Sequence, residues 1–285
     1  MTLPAADGHP LVATRFPAGG TPWATMVFGG AMGVRQDFYY PLAQFLAGNG
    51  VHVVTFDYRG MGYSRQGSIR GLDADVSTWA EQDLDAMLGH ARAADPSLPL
   101  LFMGHSLGGQ LLGVLPRNAE VSAALSVTAG SGWYKHNDRM PAQVRIFWFV
   151  AIPALTPLFG YFPGKTLRMV GDLPRGVAWQ WRRWCLHPEY LMAEGDRYRS
   201  AFTRVKAPIR AYSFEDDPII TRDAIDKMHS FYGAARVERH HVAPGDVGAR
   251  RIGHFGFFGK SSETTLWKDS LKWLKDKTLT LARTP

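Results

Sequence analysis

A glycine–x–serine–x–glycine pattern surrounds Ser106. The apolar run 100–103 before it has the length of a buried strand, and the run 110–114 after it is typical of a helix. A sharp strand-to-helix turn holds its central residue in a strained backbone conformation, so the flanking residues must be small, and Gly104 and Gly108 meet that requirement. Such a turn exposes the serine Oγ at the carboxyl end of a strand, beside the positive end of a helix. The pattern therefore predicts that Ser106 is a nucleophile.

A serine nucleophile needs a base and an acid elsewhere in the chain. Near neutral pH the hydroxyl reacts poorly unless an imidazole takes its proton and a carboxylate orients that imidazole. After a turn of this kind the acid comes next along the chain, on a loop that follows a later strand. Asp217 is the preferred candidate because it follows the predicted strand 209–214 and directly precedes Pro218. Asp216 and Glu215 in the same acidic turn remain alternatives.

The base is chosen from ten histidines. A base must reach the serine from a loop, and His254 lies in a glycine-flanked loop after the last predicted strand, whereas His240 and His241 lie within that strand. His136 and His187 fall in the middle of the chain, where packing and a substrate-lining role are both open. We therefore expect His254 to be the base.

Acyl-transfer chemistry also needs backbone N–H groups that bind the developing oxyanion. One donor is expected to be the amide of Leu107, the residue after the nucleophile. The other is expected from the glycine-rich loop 29–33, which follows a short buried strand. Ala31 and Met32 are the two alternatives for that second donor.

The elements that must position these residues alternate regularly in both halves of the chain. Short apolar runs predict strands at 24–28, 51–56, 100–103 and 123–128, and further strands are predicted at 11–16, which alternates weakly, 209–214 and 237–242. Amphipathic patterns predict helices at 38–49, 78–94 (opening on a capping box at Thr78–Glu81), 222–232 and 264–275. Short buried strands alternating with helices indicate a parallel sheet that helices cover on both faces.

The alternation stops between about 131 and 205, where aromatic residues, arginine and proline become frequent. The run 146–162 is apolar, but Pro153 and Pro157 interrupt it, so a membrane span is the weaker interpretation. We expect a helical cap at 131–205, inserted between core segments 1–130 and 206–285. Within it, the predicted substrate-binding residues are Trp148, Phe149 and Phe159, which favour an apolar acyl or aryl group.

Composition narrows the class of protein. The chain has 285 residues, 46% of them hydrophobic, which suits one large α/β domain with an insertion. Its single cysteine, Cys185, excludes an internal disulfide, and residues 1–10 have no signal-peptide pattern, so a cytoplasmic location is expected. The net charge of +7 is scattered, which disfavours nucleic acid but is compatible with transient contact with a membrane surface. No metal-ligand spacing occurs, and no cofactor or metal is expected.

Three motifs together resemble the α/β-hydrolase superfamily: Gly104-His105-Ser106-Leu107-Gly108-Gly109, the segment 57–64 (DYRGMGYS) and the segment 252–258 (IGHFGFF). The similarity is strongest to an uncharacterised branch near the serine aminopeptidases and monoacylglycerol lipase-like enzymes. It implies an eight-stranded, mostly parallel sheet with a helical cap after the sixth strand, and Ser106, an acid and His254 as catalytic residues. Many relatives carry His-Gly after the third strand, where this chain has Gly29-Gly30.

The sequence thus predicts a serine hydrolase that cleaves hydrophobic carboxylic esters through an acyl-enzyme, with Ser106, His254 and Asp217 as the triad. A thioesterase, an acyltransferase or an aminopeptidase would use the same three residues. The alternative from another class is a non-catalytic protein of this fold that binds a hydrophobic ligand.

Overall fold

A single twisted sheet forms the centre of the molecule. The computed structural model describes residues 1–167 and 169–281. Within them the sheet has eight strands in the order β1-β2-β4-β3-β5-β6-β9-β10, of which β1 and β2 run antiparallel to their neighbours and the rest are parallel. The strands are β1 (Thr2–Pro4), β2 (Pro10–Phe16), β3 (Ala24–Gly29), β4 (Val51–Phe56), β5 (Leu100–His105), β6 (Val121–Val127), β9 (Ile209–Phe214) and β10 (Val237–Val242).

The central strands are buried on both faces, as their sequences predict. Every residue of β3 and β5 is buried, and β4, β6 and β9 each have one partly exposed residue near their start. Continuous apolar runs of this kind are typical of parallel strands that helices cover on both sides. The mostly parallel eight-stranded sheet of the predicted fold is confirmed. The short β1 had no sequence signal.

Helices connect the parallel strands and follow the last one. In the core these are α1 (Tyr40–Gly48), α2 (Val76–Thr78), α3 (Asp85–Ala94), α4 (Leu107–Leu111), α9 (Arg222–His229) and α10 (Lys268–Leu281). Turns of π-helix at Trp79–Leu84 and Glu263–Trp267 join α2 to α3 and lead into α10. Short 3₁₀ turns lie at Gln36–Tyr39, Gly62–Ser64, Leu112–Val114, Asn118–Glu120, Pro244–Val247, Gly256–Phe258 and Lys260–Ser262.

The predicted capping box at Thr78–Glu81 is wrong. The helix begins at Val76, because the side chain of Asp75 accepts a hydrogen bond from the Thr78 amide at 2.7 Å. Thr78 Oγ1 in turn accepts one from the Asp75 amide. Asp75 is thus the N-cap, and Thr78 is the third residue of the helix. A carboxylate three residues earlier satisfies the exposed amides of the first turn and is a strongly preferred cap.

Between β6 and β9 the chain forms an insertion of mostly helical structure. It contains α5 (Pro141–Ile146), α6 (Ile152–Phe159), α7 (Arg175–Cys185), α8 (Asp196–Thr203) and a hairpin of β7 (Tyr161–Pro163) and β8 (Asp172–Pro174). A π-helical turn, Phe147–Ala151, joins α5 to α6, and 3₁₀ turns lie at Tyr134–His136 and Tyr190–Glu194. All of these elements lie inside the predicted cap, 131–205.

The cap is not a separate hydrophobic unit. Phe162 and Trp184 of the cap belong to the same buried cluster as Val27, Phe56 and Phe102 of the sheet. A second large cluster covers the other sheet face and includes residues of α1 and α10. One face of the sheet therefore shares its core with the cap.

Candidate active site

The backbone at Ser106 is strained. Its φ of 49° and ψ of −118° place a non-glycine residue in the positive-φ region, directly between β5 and α4. A Cβ on Gly104 would lie 2.2 Å from Gly109 Cα, and one on Gly108 would lie 2.0 Å from the carbonyl oxygen of Gly29. The strand, the helix and the loop after β3 thus meet without intervening side chains. Strain of this size, roughly 1–3 kcal/mol, persists where the surrounding packing enforces it.

His254 and Asp217 form a buried pair. His254 Nδ1 lies 2.8 Å from Asp217 Oδ2, and the two residues are 5% and 1% exposed. The other carboxylate oxygen accepts hydrogen bonds from the amides of Ile219 at 2.7 Å and Ile220 at 3.1 Å. The carboxylate is therefore held on both oxygens, and it orients the imidazole so that Nε2 is the nitrogen available for proton transfer.

The side chain of Asp216 binds the backbone of the loop that carries His254. Its two carboxylate oxygens accept hydrogen bonds from the amides of Ile252 and Gly253, both at 2.9 Å. These are the two residues that precede His254. Asp216 and Asp217 thus act on the same loop in different ways, while Glu215 is exposed. Among the three acids that the sequence leaves open, the structure brings only Asp217 to the imidazole.

The loop of His254 is anchored next to the nucleophile. His105, the residue before Ser106, places its Nε2 at 3.1 Å from the backbone oxygen of His254. Burial holds the pKa of His105 well below its usual range, and the nearby His254 lowers it further. For His136 and His187 the sequence left packing and a substrate-lining role open. His136 is part of a cavity wall, whereas His187 is exposed.

Two backbone amides near the elbow are unengaged. Within residues 1–167 and 169–281, neither the Leu107 amide at the start of α4 nor that of Met32 has a hydrogen-bond partner. The Ala31 amide instead donates to the Tyr39 hydroxyl at 2.8 Å. Between the two alternatives for the second oxyanion donor, the geometry therefore favours Met32.

The segment 57–64, which carries part of the resemblance, is structural. Asp57 accepts hydrogen bonds from the amides of Gln36 and Tyr63, both at 2.8 Å. Burial raises the pKa of Asp57, and these amide contacts oppose that shift. Because Gln36 follows the loop that carries Met32, Asp57 fixes the far end of that loop. Arg59 in turn makes a buried contact with Asp83 and a partly buried one with Asp7.

A cavity of about 580 Å³ opens beside these groups under the cap. Met32 and Phe255 line it on the core side, next to the unengaged amide and to His254. Trp148 lines it from the cap, and no Asp, Glu, Lys or Arg is found among the described residues of its wall. The cavity therefore suits an uncharged, mostly apolar group. Other wall residues are Gly33, Val34, Ser131, Gly132, Trp133, Tyr134, His136, Asn137, Met140, Gln143, Val144, Phe147, Met169, Val170, Gly171, Trp181, Cys185, Ile219, Ile220 and Ala224.

Two predicted substrate-binding residues do not reach this cavity. Phe149 and Phe159 are 50% and 38% exposed, and neither lines the wall. Phe149 follows Trp148 directly in a helical turn, so the two side chains point in different directions and only Trp148 faces inward. Phe159 is the last residue of α6, where its ring contacts Tyr161. An aromatic run alone does not distinguish the inner from the outer face.

Sequence reasoning missed three residues around the site: Tyr39, His105 and Asp216 as an anchor. The position of His105 inside the glycine–x–serine–x–glycine pattern was the available signal, since its side chain must lie beside the serine. Nothing in the local sequence separates Tyr39 from its neighbours Phe38 and Tyr40. No group of three or more His, Cys, Asp or Glu side chains able to hold a metal occurs in the part of the chain that the structure describes.

Parts of the chain are similar in sequence to known proteins. Residues 21–157 match the family described as Serine aminopeptidase, S33. A putative monoglyceride lipase of Schizosaccharomyces pombe is 36% identical over 92 residues, which are 32% of this chain and 24% of that protein. This chain thus aligns with about a quarter of the curated relative's length.

Solved structures resemble nearly the whole chain. A soluble variant of monoglyceride lipase from Saccharomyces cerevisiae, in complex with a substrate analog, superposes with a TM-score of 0.63 at 16% identity, covering 98% of this chain and 96% of that one. The chain has the α/β-hydrolase fold. A thermostable carboxyl esterase from Bacillus coagulans gives a TM-score of 0.64 at 13% identity, covering 98% of both chains. At such identities the likeness concerns the fold.

The two aspartates yield the first prediction. Asp217→Asn should lower kcat for ester hydrolysis by roughly 10⁴-fold, because an amide cannot stabilise the imidazolium and favours the wrong tautomer. Asp216→Asn should lower it by about 10-fold or less, since an asparagine oxygen still accepts one of the two loop amides. Steady-state kinetics with a p-nitrophenyl ester measures both.

Asp216→Asn is the matched control, because it makes the same chemical change at the adjacent residue. Equal losses in the two variants would contradict the assignment of Asp217 to the imidazole.

Proposed function

We propose that this chain is a serine hydrolase that cleaves carboxylic esters with an apolar acyl or aryl group through an acyl-enzyme. The proposal rests on the strained Ser106, on the buried Asp217–His254 pair, whose loop contacts the adjacent His105, and on an uncharged cavity lined by Met32 and Phe255. The relatives named above, a putative monoglyceride lipase and a carboxyl esterase, support the esterase or lipase class.

In the proposed reaction Ser106 Oγ attacks the ester carbonyl carbon as its proton passes to His254 Nε2. The carbonyl oxygen becomes an oxyanion, which the amides of Leu107 and Met32 bind. His254 then protonates the leaving alkoxide, and the acyl group remains on Ser106. Water then attacks the acyl carbon as His254 Nε2 takes one of its protons. The bond between the acyl carbon and Ser106 Oγ breaks, the imidazolium returns the proton to Oγ, and the acid leaves. Asp217 stabilises the imidazolium in both steps without taking its proton.

The cavity argues against an aminopeptidase. A free peptide N-terminus is a cation, and burying it without a carboxylate partner costs several kcal/mol. The described wall residues include no acid, although they include neutral polar groups such as Asn137 and Gln143. An uncharged acyl group fits that wall without such a penalty. Thioesters and acyl transfer to an alcohol use the same geometry and stay alternatives within the class.

A purely binding role is disfavoured by the turn itself. The conformation at Ser106 costs free energy, and a protein that only binds a hydrophobic ligand gains nothing from it. The same holds for burying the Asp217–His254 pair.

We further propose that the outer face of the cap contacts a membrane surface transiently. One stretch of 19 residues, Pro141–Phe159, has the length and apolarity of a membrane span, with a hydropathy of 1.4. Phe147, Trp148, Ile152 and Thr156 are buried, which anchors one side of the stretch in the protein. The opposite side exposes Ile146, Phe149, Val150 and Leu158 at 50–71%.

The charges around this outer face favour an anionic lipid surface. Lys135, Arg139, Arg145 and Lys165 are exposed, whereas Asp138 is the one acid between positions 135 and 165. Met169, Ile219 and Phe255 are exposed at 39–48% and also line the cavity. Contact with lipid would therefore bring the bilayer to the cavity entrance, where hydrophobic esters are dissolved.

Probe labelling tests the nucleophile. A fluorophosphonate should label the wild type covalently, and Ser106→Ala should abolish the labelling and lower ester turnover by about 10⁶-fold. Alanine fits the turn, so circular dichroism should show an unchanged fold. Ser131→Ala, a change at a serine that lines the cavity, is the control and should still be labelled. Wild-type turnover in Ser106→Ala would exclude the proposed reaction.

An ester series tests the cavity. From p-nitrophenyl acetate to decanoate, each buried methylene should contribute up to about 0.8 kcal/mol, so kcat/KM should rise several-fold per carbon and then stop when the cavity is full. Trp148→Ala should move that break or flatten the rise, whereas Phe149→Ala, the adjacent residue outside the cavity, should not. A flat wild-type series would show that the acyl group binds elsewhere.

Vesicle binding tests the outer face. The double variant Phe149→Ser, Leu158→Ser should lose co-sedimentation with vesicles containing phosphatidylglycerol, and high salt should weaken wild-type binding because the basic side chains contribute. Turnover of soluble p-nitrophenyl acetate, the control, should stay near the wild-type value. Equal vesicle binding by variant and wild type would refute this contact.

A further inference from the structure

A buried chain of hydrogen bonds joins the two loops that flank Ser106. The Ala31 amide donates to the Tyr39 hydroxyl at 2.8 Å, that hydroxyl lies 2.9 Å from His105 Nδ1, and His105 Nε2 lies 3.1 Å from the His254 carbonyl oxygen. Ala31, Tyr39, His105 and His254 are all 5% exposed or less. The chain thus runs from the loop with the unengaged Met32 amide, past the elbow, to the loop of the proposed base.

The two ends of this chain determine where every proton lies. A backbone amide can only donate and a backbone carbonyl can only accept. The Tyr39 oxygen therefore accepts from Ala31 and donates its own proton to His105 Nδ1. His105 must then carry its ring proton on Nε2, which donates to the carbonyl of His254. For a neutral imidazole, one arrangement satisfies all three contacts, and the Tyr39 hydroxyl is neutral in it.

The surroundings keep both groups neutral. Burial raises the pKa of the Tyr39 hydroxyl and lowers that of the His105 imidazole, so neither ionises near neutral pH. The His105 ring is enclosed by Phe38, Phe255 and Phe258, with ring centroids 4.5–6.4 Å away. A fully satisfied polar chain in such an apolar setting is rigid, because breaking any contact leaves a buried polar group unpaired.

We propose that Tyr39 and His105 are positioning residues for the oxyanion site. They lock the Ala31 peptide so that the next amide, Met32 N–H, faces the elbow, and they set its place relative to the backbone of His254. This inference rests on the proposed function. Its physical basis is that an oxyanion donor acts only when it lies at hydrogen-bond distance from the developing charge, so a small displacement costs rate.

The adjacent tyrosines provide a matched test. Tyr39→Phe removes the central oxygen of the chain and should lower kcat for a p-nitrophenyl ester about 10-fold or more, with KM changed less than about twofold. Tyr40→Phe removes a hydroxyl that binds Thr14 Oγ1 at 2.8 Å on the side of β2 and should leave kcat near wild type. A boronic acid that mimics the tetrahedral state should lose affinity in parallel with kcat/KM in Tyr39→Phe alone.

Rescue distinguishes positioning from packing. His105→Gln keeps one donor and one acceptor and should retain most of kcat, whereas His105→Phe keeps an aromatic ring but loses both and should resemble Tyr39→Phe. The double variant Tyr39→Phe, His105→Phe should be no slower than either single variant, because one chain is broken in each.

Equal kcat in Tyr39→Phe and Tyr40→Phe, or additive losses in the double variant, would overturn the inference and leave the Ser106→Ala result to decide the function. Nitrogen-15 spectra of wild-type histidines test the proton order without any variant. The neutral His105 ring protonated on Nε2 supports the chain, and protonation on Nδ1 overturns it.

Discussion

The close approach of three backbones at the elbow is the constraint on which the rest of the site depends. β5, α4 and the loop after β3 meet at glycines, which have no side chain. A Cβ at Gly104 or Gly108 would overlap backbone atoms. This contact forces Ser106 into its positive φ. It also brings Gly29 and Gly30, which precede Met32 by two to three residues, against Gly108 in the first turn of α4.

Buried or partly buried carboxylates hold the loops around the elbow in place. Asp57 holds the far end of the loop that carries Met32, and Asp216 holds the two amides before His254. Each uses a carboxylate to fix backbone rather than to touch the cavity. Asp57 and Asp216 therefore hold in place the backbone segments that carry Met32 and His254. Support of this kind keeps a buried histidine in a single orientation.

The sequence predicted the parts of the molecule where one local pattern has one structural solution. Short apolar runs indicated β3, β4 and β5, and the glycine spacing indicated the turn at Ser106. Loop positions after β9 and β10 led to Asp217 and His254, which the structure places 2.8 Å apart.

Other features depend on tertiary contacts that no local pattern encodes. The choice between Ala31 and Met32 depends on Tyr39, whose hydroxyl is brought to the Ala31 amide by the packing of the helical segment that follows the loop. Which face of the cap is buried depends on what α7 and the β7–β8 hairpin cover. Composition alone therefore could not show that Trp148 faces inward and Phe149 outward. The helix start at Val76 was missed because Asp75 lies just before the apolar pattern.

The shared core of cap and sheet has a consequence for how this scaffold can change. Phe162 and Trp184 complete the same hydrophobic cluster that holds Val27 and Phe102. Exchanging the whole cap for that of a relative would strip one side of the central sheet and destabilise the body of the protein, not merely its entrance. New substrate preferences are therefore reached most readily by single substitutions along the inner face of the insertion, with its outline retained.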